Sequence, residues 1–136
     1  MAVDTSVTAL TGNGVALGMK EKVLQREVDF SVTNLAAGDW FQLFDLSVGH
    51  IVNWAVIEIV TAGTASATVS LGVDAGTEVV TEVAADATAG TRYMSTNTVP
   101  IDFSGNTLDI SGLTAALVLG VVRVTVGVAD TSDYTG

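Results

Sequence analysis

Short runs in which apolar and polar residues alternate, each closed by a cluster of turn-forming residues, recur along this chain at spacings of about 8–12 residues. No helical period extends beyond two turns, so the repeating unit is a pleated strand with one buried face. Over 24–33, Leu24, Val28, Phe30 and Val32 share the even positions, Glu27, Asp29, Ser31 and Thr33 face the other way, and Arg26 is the misfit on the apolar side. Trp40 to Leu46 gathers Trp40, Phe41 and Phe44, half of the six Phe and Trp residues. Ile51 to Val60 is apolar on both faces apart from Asn53 and Glu58, which predicts a central strand covered twice, a neighbouring subunit being one candidate cover. Thr68–Asp74 and Glu78–Ala84 flank Asp74-Ala75-Gly76 as a hairpin. Further strands are predicted at Arg92–Thr98, at Ile101–Phe103 behind Pro100, at Leu108–Ile110 behind Ser104-Gly105-Asn106, and at Val118–Val128. In the last of these Val118, Val122, Val124, Val126 and Val128 share one face, and Leu119, Val121, Arg123 and Thr125 the other.

Eight or nine such strands are the cue for a sandwich, jelly roll or barrel. The fold class expected is therefore all-β, an antiparallel, jelly-roll-like β-sandwich with an extended N-terminal arm. The arm is placed at 1–18, the sandwich at 19–130 and a polar tail at 131–136.

Composition bounds the function. A chain of 136 residues holds one core. Fifteen Asp and Glu against five Lys and Arg give a formal charge of -10, which repels phosphate backbones and anionic lipid, so neither nucleic acid nor a membrane is expected as a partner. The absence of cysteine removes disulfides, thiolate metal sites and cysteine nucleophiles. The start of the chain shows no basic region followed by an apolar run, so synthesis in the cytoplasm is expected. Ala115–Val128 is too short for a membrane-spanning helix.

The residues that carry chemistry do not assemble into a catalytic pattern. His50 is the single histidine and has no second metal ligand or nucleophile in view; the opening of a strand is its expected place. Asp39, Asp45, Glu58, Asp74 and Glu78 are the carboxylates that a glycosidase-like pair would draw on, but none sits in a motif. Glu58, inside an apolar strand, calls for a partner among Arg26, Arg92 and Arg123, or for solvent. Asp74 and Glu78 around Gly76 lack the ligand series of a calcium loop, and Gly12-Asn13-Gly14 lacks the strand and helix of a phosphate loop. No enzyme activity, cofactor or metal is expected. Lys20, Lys22 and Arg26 place three of the five cations within seven positions at the junction of arm and first strand. They suit either a solvated strand end or docking of the arm onto an acidic neighbour. Trp40, Phe41, Phe44 and Trp54 are candidate core or interface aromatics, with both tryptophans expected to be buried.

The Thr/Ala/Gly-rich N-terminus, the strand ending VDFSVTNLAAGDWFQLFDL, the IVNWAVIEI strand and ATVSLGVD resemble the small β-sandwich virion proteins of tailed bacteriophages, especially those decorating capsids of marine and cyanobacterial phages. The resemblance implies a jelly-roll-like decoration or cement protein on the outside of the capsid. It would be a homo-oligomer, with a trimer favoured, and would clamp neighbouring subunits of the major capsid protein. The alternative is a carbohydrate- or receptor-binding module of a phage fibre or tail, with Trp40, Trp54, Tyr93 or Tyr134 as a stacking platform. Deletion of the arm is expected to weaken attachment and spare the fold.

Overall fold

The computed structural model describes residues 20–46, 50–74, 76–95, 101–103 and 107–130. The expected arm, the tail and the side chain of Lys20 lie outside them. Every regular element among the described residues is a strand: β1 (Lys20–Asp29), β2 (Trp40–Asp45), β3 (His50–Thr61), β4 (Thr68–Val73), β5 (Val80–Ala84), β6 (Arg92–Met94), β7 (Ile101–Phe103), β8 (Thr107–Leu113) and β9 (Val121–Asp130).

Pairing is antiparallel throughout and yields two sheets. One runs β1-β9-β3-β6, with β7 on the same outer edge of β3 as β6; the other runs β2-β8-β4-β5. Apart from the β4–β5 hairpin and the β6–β7 connection, each connection crosses from one sheet to the other. This is the strand order of a jelly roll. The chain is an antiparallel β-sandwich, as its alternation predicts.

The core is the inner face of both sheets. Val28, Ile57, Ile59, Val122, Val124, Val126 and Val128 come from the first, and Leu43, Val69, Leu71, Val80, Leu108 and Ile110 from the second, all buried. Removing these branched side chains from water is what drives the two sheets together. In β3 the pairing with β9 shifts between Val52 and Trp54. A bulge of this kind reverses the facing of the residues beyond it. Val52 therefore points inward together with Ala55, Ile57 and Ile59, and Trp54 turns outward. The outer face of β3 is covered only in part, with Trp54, Val56, Glu58 and Val60 half-buried.

Several strand limits differ from the sequence reading; β5 begins at Val80 and not Glu78, and β6 ends at Met94, with Ser95 already outside the strand. β1 ends at Asp29, where Val32 N–H and Thr33 N–H both return to Asp29 O in a turn (3.1 and 3.0 Å). Val32, expected on the buried face, is 82% exposed. β9 begins at Val121, so Val118 and Leu119 are loop residues. They precede Gly120, whose φ of 103° lies in the left-handed region that glycine alone adopts freely. β8 runs from Thr107 to Leu113, longer than its three-residue apolar cue.

The loops at one end are tied to each other. Leu35 and Leu117 exchange both backbone hydrogen bonds (2.9 and 2.8 Å), Phe30 N–H reaches Gly120 O (2.9 Å), and Gly63 N–H reaches Ala85 O (2.8 Å). Val118 N–H donates to Thr64 Oγ1 (3.0 Å), and Ser66 N–H donates to Asp86 Oδ2 (2.9 Å). These bonds join loops 30–39, 62–67, 85–91 and 114–120 into one body.

Candidate functional site: an outer face and an edge groove

Lys22 and Arg26 of β1 have different surroundings. Arg26 lies on the even side of the strand with Lys22, Leu24 and Val28. Because β1 and β2 are edge strands of opposite sheets, its guanidinium spans the gap between them. It donates to Gln42 O (3.2 Å) and Leu43 O (3.0 Å), at the bulge of β2 where the ladder to β8 is interrupted. A charged donor on the carbonyls of this irregular stretch ties the two sheets along their open side. Lys22 remains exposed. Beside Arg26 runs an open groove of about 400 Å³ lined by Arg26, Glu27, Val28, Asp29, Val32, Thr33, Phe41 and Gln42. It brings together Arg26 and Phe41 from the sequence-derived candidates, and adds Val32.

The aromatic residues divide among three environments. Phe41 and Phe44 pack half-buried against the core. Trp40 is 44% exposed, which corrects the expectation that both tryptophans are buried. It opens β2 directly after the loop residue Asp39, whose Oδ1 accepts its N–H (2.9 Å), and it pairs with Ser111 in register. Trp54 is half-buried on the outer face of the first sheet, opposite Gly127 of β9. A Cβ at Gly127 would meet the indole, with Cδ1 at 2.8 Å and Nε1 and Cε2 closer still. The ring therefore lies flat on the bare backbone.

On that same face the register aligns Glu27, Arg123, Glu58 and Arg92 across β1, β9, β3 and β6. Arg123 Nη2 lies 2.7 Å from Glu27 Oε2, its Nη1 lies 3.1 Å from Glu58 Oε1, and Arg92 Nη2 lies 3.7 Å from Glu58 Oε2. The hydrogen bonds that Arg123 donates to Glu27, opposed by the cost of burial and aided by the charge of both carboxylates, raise the Arg123 pKa above its ordinary value. Glu58 thus finds two of its three anticipated partners, and Arg26 is not one of them. The adjacent row carries Gln25, whose Nε2 donates to Thr125 Oγ1 (3.0 Å), with Val56 and Met94 beyond.

Two further carboxylates, Glu78 and Asp29, serve local structure. Glu78 folds back over Gly72 and accepts Val73 N–H (3.1 Å) across the β4–β5 turn. Asp29 Oδ1 accepts Ser31 Oγ (2.6 Å) and Ser31 N–H (2.9 Å), which hold its carboxyl below the ordinary Asp value. His50 opens β3, in register with Asp130. Among the described residues no group of three or more His, Asp or Glu is placed to hold a metal ion. The surface offers paired charges, half-covered apolar rows and a groove.

No protein-family model matches the sequence, and no curated protein matches it. The fold does have counterparts among solved structures. A chain of the cyanophage Pam1 capsid asymmetric unit superposes with a TM-score of 0.66 at 23% identity, over 94% of this chain and 97% of that one. A chain of the acidic stable capsid of Helicobacter pylori bacteriophage KHP30 gives a TM-score of 0.62 at 15% identity, covering 82% and 89%. A chain of the Ralstonia phage GP4 capsid gives 0.63 at 11% identity, covering 90% and 91%. The fold is shared over 82–94% of this chain and 89–97% of those chains.

Proposed function

We propose that this chain is a structural protein of a bacteriophage virion, a cement protein that binds the outside of the capsid and stabilises contacts between coat subunits. The observation that carries this reading is the near-complete, two-way coverage by chains of three phage capsids on one jelly roll. Coverage of this extent in both directions leaves little of either chain outside the shared sandwich. A net charge of -10 favours the outer surface over the lumen, where packaged nucleic acid would repel it. A symmetric homo-oligomer, with a trimer favoured, suits a chain that bridges equivalent coat subunits.

The test is to mix the purified chain with coat shells assembled without it, follow co-sedimentation, and measure shell melting. Saturable binding that raises the shell melting temperature is expected; shells that neither bind the chain nor gain stability would reject the proposal. Light scattering of the free chain reports the oligomer, and a mass other than three chains removes the trimer.

The exposure of Trp40 favours a second reading, a carbohydrate-binding module that uses this ring as a stacking platform. Quenching of its fluorescence by host-surface glycans, absent in Trp40→Ala, would support that reading; a flat titration removes it.

A further inference from the structure

The charged row Glu27, Arg123, Glu58 and Arg92 alternates in sign across β1, β9, β3 and β6. A line drawn along the strands between β9 and β3 divides this row into two halves, each negative and then positive. Turning a second copy about that line, so that the two faces meet, reverses the order of its row. Every charge then faces its opposite: Glu27 faces Arg92 of the second copy, and Arg123 faces Glu58. A rotation about a line across the strands would instead set like charge against like. The same line runs between Gly127 and Trp54. The indole lies flat across it on the bare backbone of Gly127, and its outer side is only partly covered. A flat ring in this position stacks on its own mate. Backbone, ring, ring and backbone, each in contact at about 3.5–4 Å, fill roughly the 10 Å spacing of packed sheets.

Between these two features lies the row Gln25, Thr125, Val56 and Met94. The same rotation sets Val56 against Thr125 of the second copy and Met94 against Gln25. On this face Met94 is 61% and Val23 59% exposed, and Trp54, Val56 and Val60 are only half-buried. A strand apolar on both faces calls for a second cover, and β3 lacks one in the single chain. Glu21 and Asp29, at the two ends of β1, are occupied by Asn53 Nδ2 (2.9 Å) and by Ser31. Three long strands about 4.8 Å apart, with β6 beside them, present roughly 500 Å² per copy. The pair buries about 1,000 Å², the lower limit of a specific interface. Repulsion between two bodies of charge -10 is screened beyond about 10 Å at 0.1 M salt, whereas the paired rows act at contact.

We infer that the outer face of the first sheet docks a second copy of this chain, related by a two-fold axis that runs along the strands between β9 and β3. The charge order and the flat indole are independent features, and both are matched about one line, which a second copy supplies by symmetry. A two-fold contact closes on a pair. It is therefore distinct from whatever contact builds a trimer, and in a trimer it joins one trimer to the next. An interface of this size makes the association weak and dependent on concentration. The inference needs no shell and stands apart from the capsid role.

The experiment uses the full chain, which has no cysteine, so an engineered thiol reports without background. Gln25→Cys and Met94→Cys are made separately, mixed and oxidised. A disulfide-linked pair of one chain of each kind is expected, formed faster than either variant links to itself. Residue 94 lies about 14 Å from residue 94 of the second copy, three strand spacings away and beyond the reach of a disulfide. Linkage in the mixture no faster than in the separate variants would overturn the inference. A second measurement exchanges the charges. Glu27→Arg with Glu58→Arg makes the row wholly basic, and Arg92→Glu with Arg123→Glu makes it wholly acidic. In sedimentation over a range of concentrations each double variant alone is expected to self-associate about tenfold or more weakly than the parent, and their equimolar mixture to regain the association. Parent-like association by either variant alone, or none in the mixture, would overturn the inference. If an exchanged variant melts early, the cysteine pair decides, because it leaves the charged row intact. A parent that shows no association dependent on concentration also overturns the inference, while the capsid role is judged separately by binding to shells.

Discussion

Replacing Gly127 by alanine puts a methyl group where the Trp54 indole lies. The ring must lift away from β9 or β9 must retreat, and forcing an extra methyl into a filled contact costs ~1–3 kcal/mol. Against this stands a gain. Gly127 sits in ordinary strand backbone, where glycine to alanine stabilises by ~0.4–1 kcal/mol through the unfolded chain. The net expectation for Gly127→Ala is a loss of ~0.5–2 kcal/mol. In a Trp54→Ala background the obstacle is gone, and the same substitution should become stabilising by ~0.4–1 kcal/mol. The sign reversal is the signature, a coupling of ~1–3 kcal/mol between directly paired residues. Urea denaturation followed by far-ultraviolet circular dichroism measures all four proteins without reliance on tryptophan emission, and equal m-values would show that one transition is being compared. An effect of the same sign and size in both backgrounds would refute the flat-lying indole.

Other outcomes rest on the same geometry. Ile57→Ala, on the fully buried face of β3, should cost ~2–5 kcal/mol, a large part of the ~5–15 kcal/mol typical of a domain; Val56→Ala, half-buried on the other face, should cost less than half as much by urea denaturation. Ser31→Ala should raise the Asp29 pKa towards its ordinary value, as read by carboxyl NMR titration. Because the folded pKa is depressed, the stability it contributes is complete above the ordinary Asp range and is lost as pH falls through the folded pKa; in Ser31→Ala that acid-side loss should shrink. Arg26→Met keeps the aliphatic stem but removes the donors to Gln42 O and Leu43 O, and a loss of ~1 kcal/mol is expected; a change within ~0.3 kcal/mol would show that water replaces the guanidinium.

The sequence reads well where period and turn chemistry act locally. Alternation in Thr68–Asp74 with Asp-Ala-Gly behind it locates the β4–β5 hairpin, and a carboxylate amid Val and Ile announces a cation partner, found as Arg123 with Arg92. Val32, Val118 and Leu119 continue the apolar phase of their neighbours, so a pattern reader adds them to strands. What excludes them is the turn returning to Asp29 O and the left-handed Gly120, which is held where a Cβ would meet Gly63 N at 2.9 Å and Gly63 Cα closer still. The edge groove depends on which strands end up side by side. That information lies in pairings such as Glu27 with Arg123, far apart in sequence, and no local window contains it.

The strand order also bears on how the chain comes off the ribosome. β9 lies between β1 and β3, and β8 lies between β2 and β4. Until residues 107–130 have emerged, β1 has no neighbour in its sheet and β2 none in its own; only the β4–β5 hairpin and the short β3–β6 and β3–β7 contacts are available. The nascent chain therefore holds most of its aliphatic faces unpaired through synthesis, and both sheets close together when the last two strands insert. Truncation before Val121 therefore removes the central strand of one sheet and leaves β1 detached, however intact the preceding sequence.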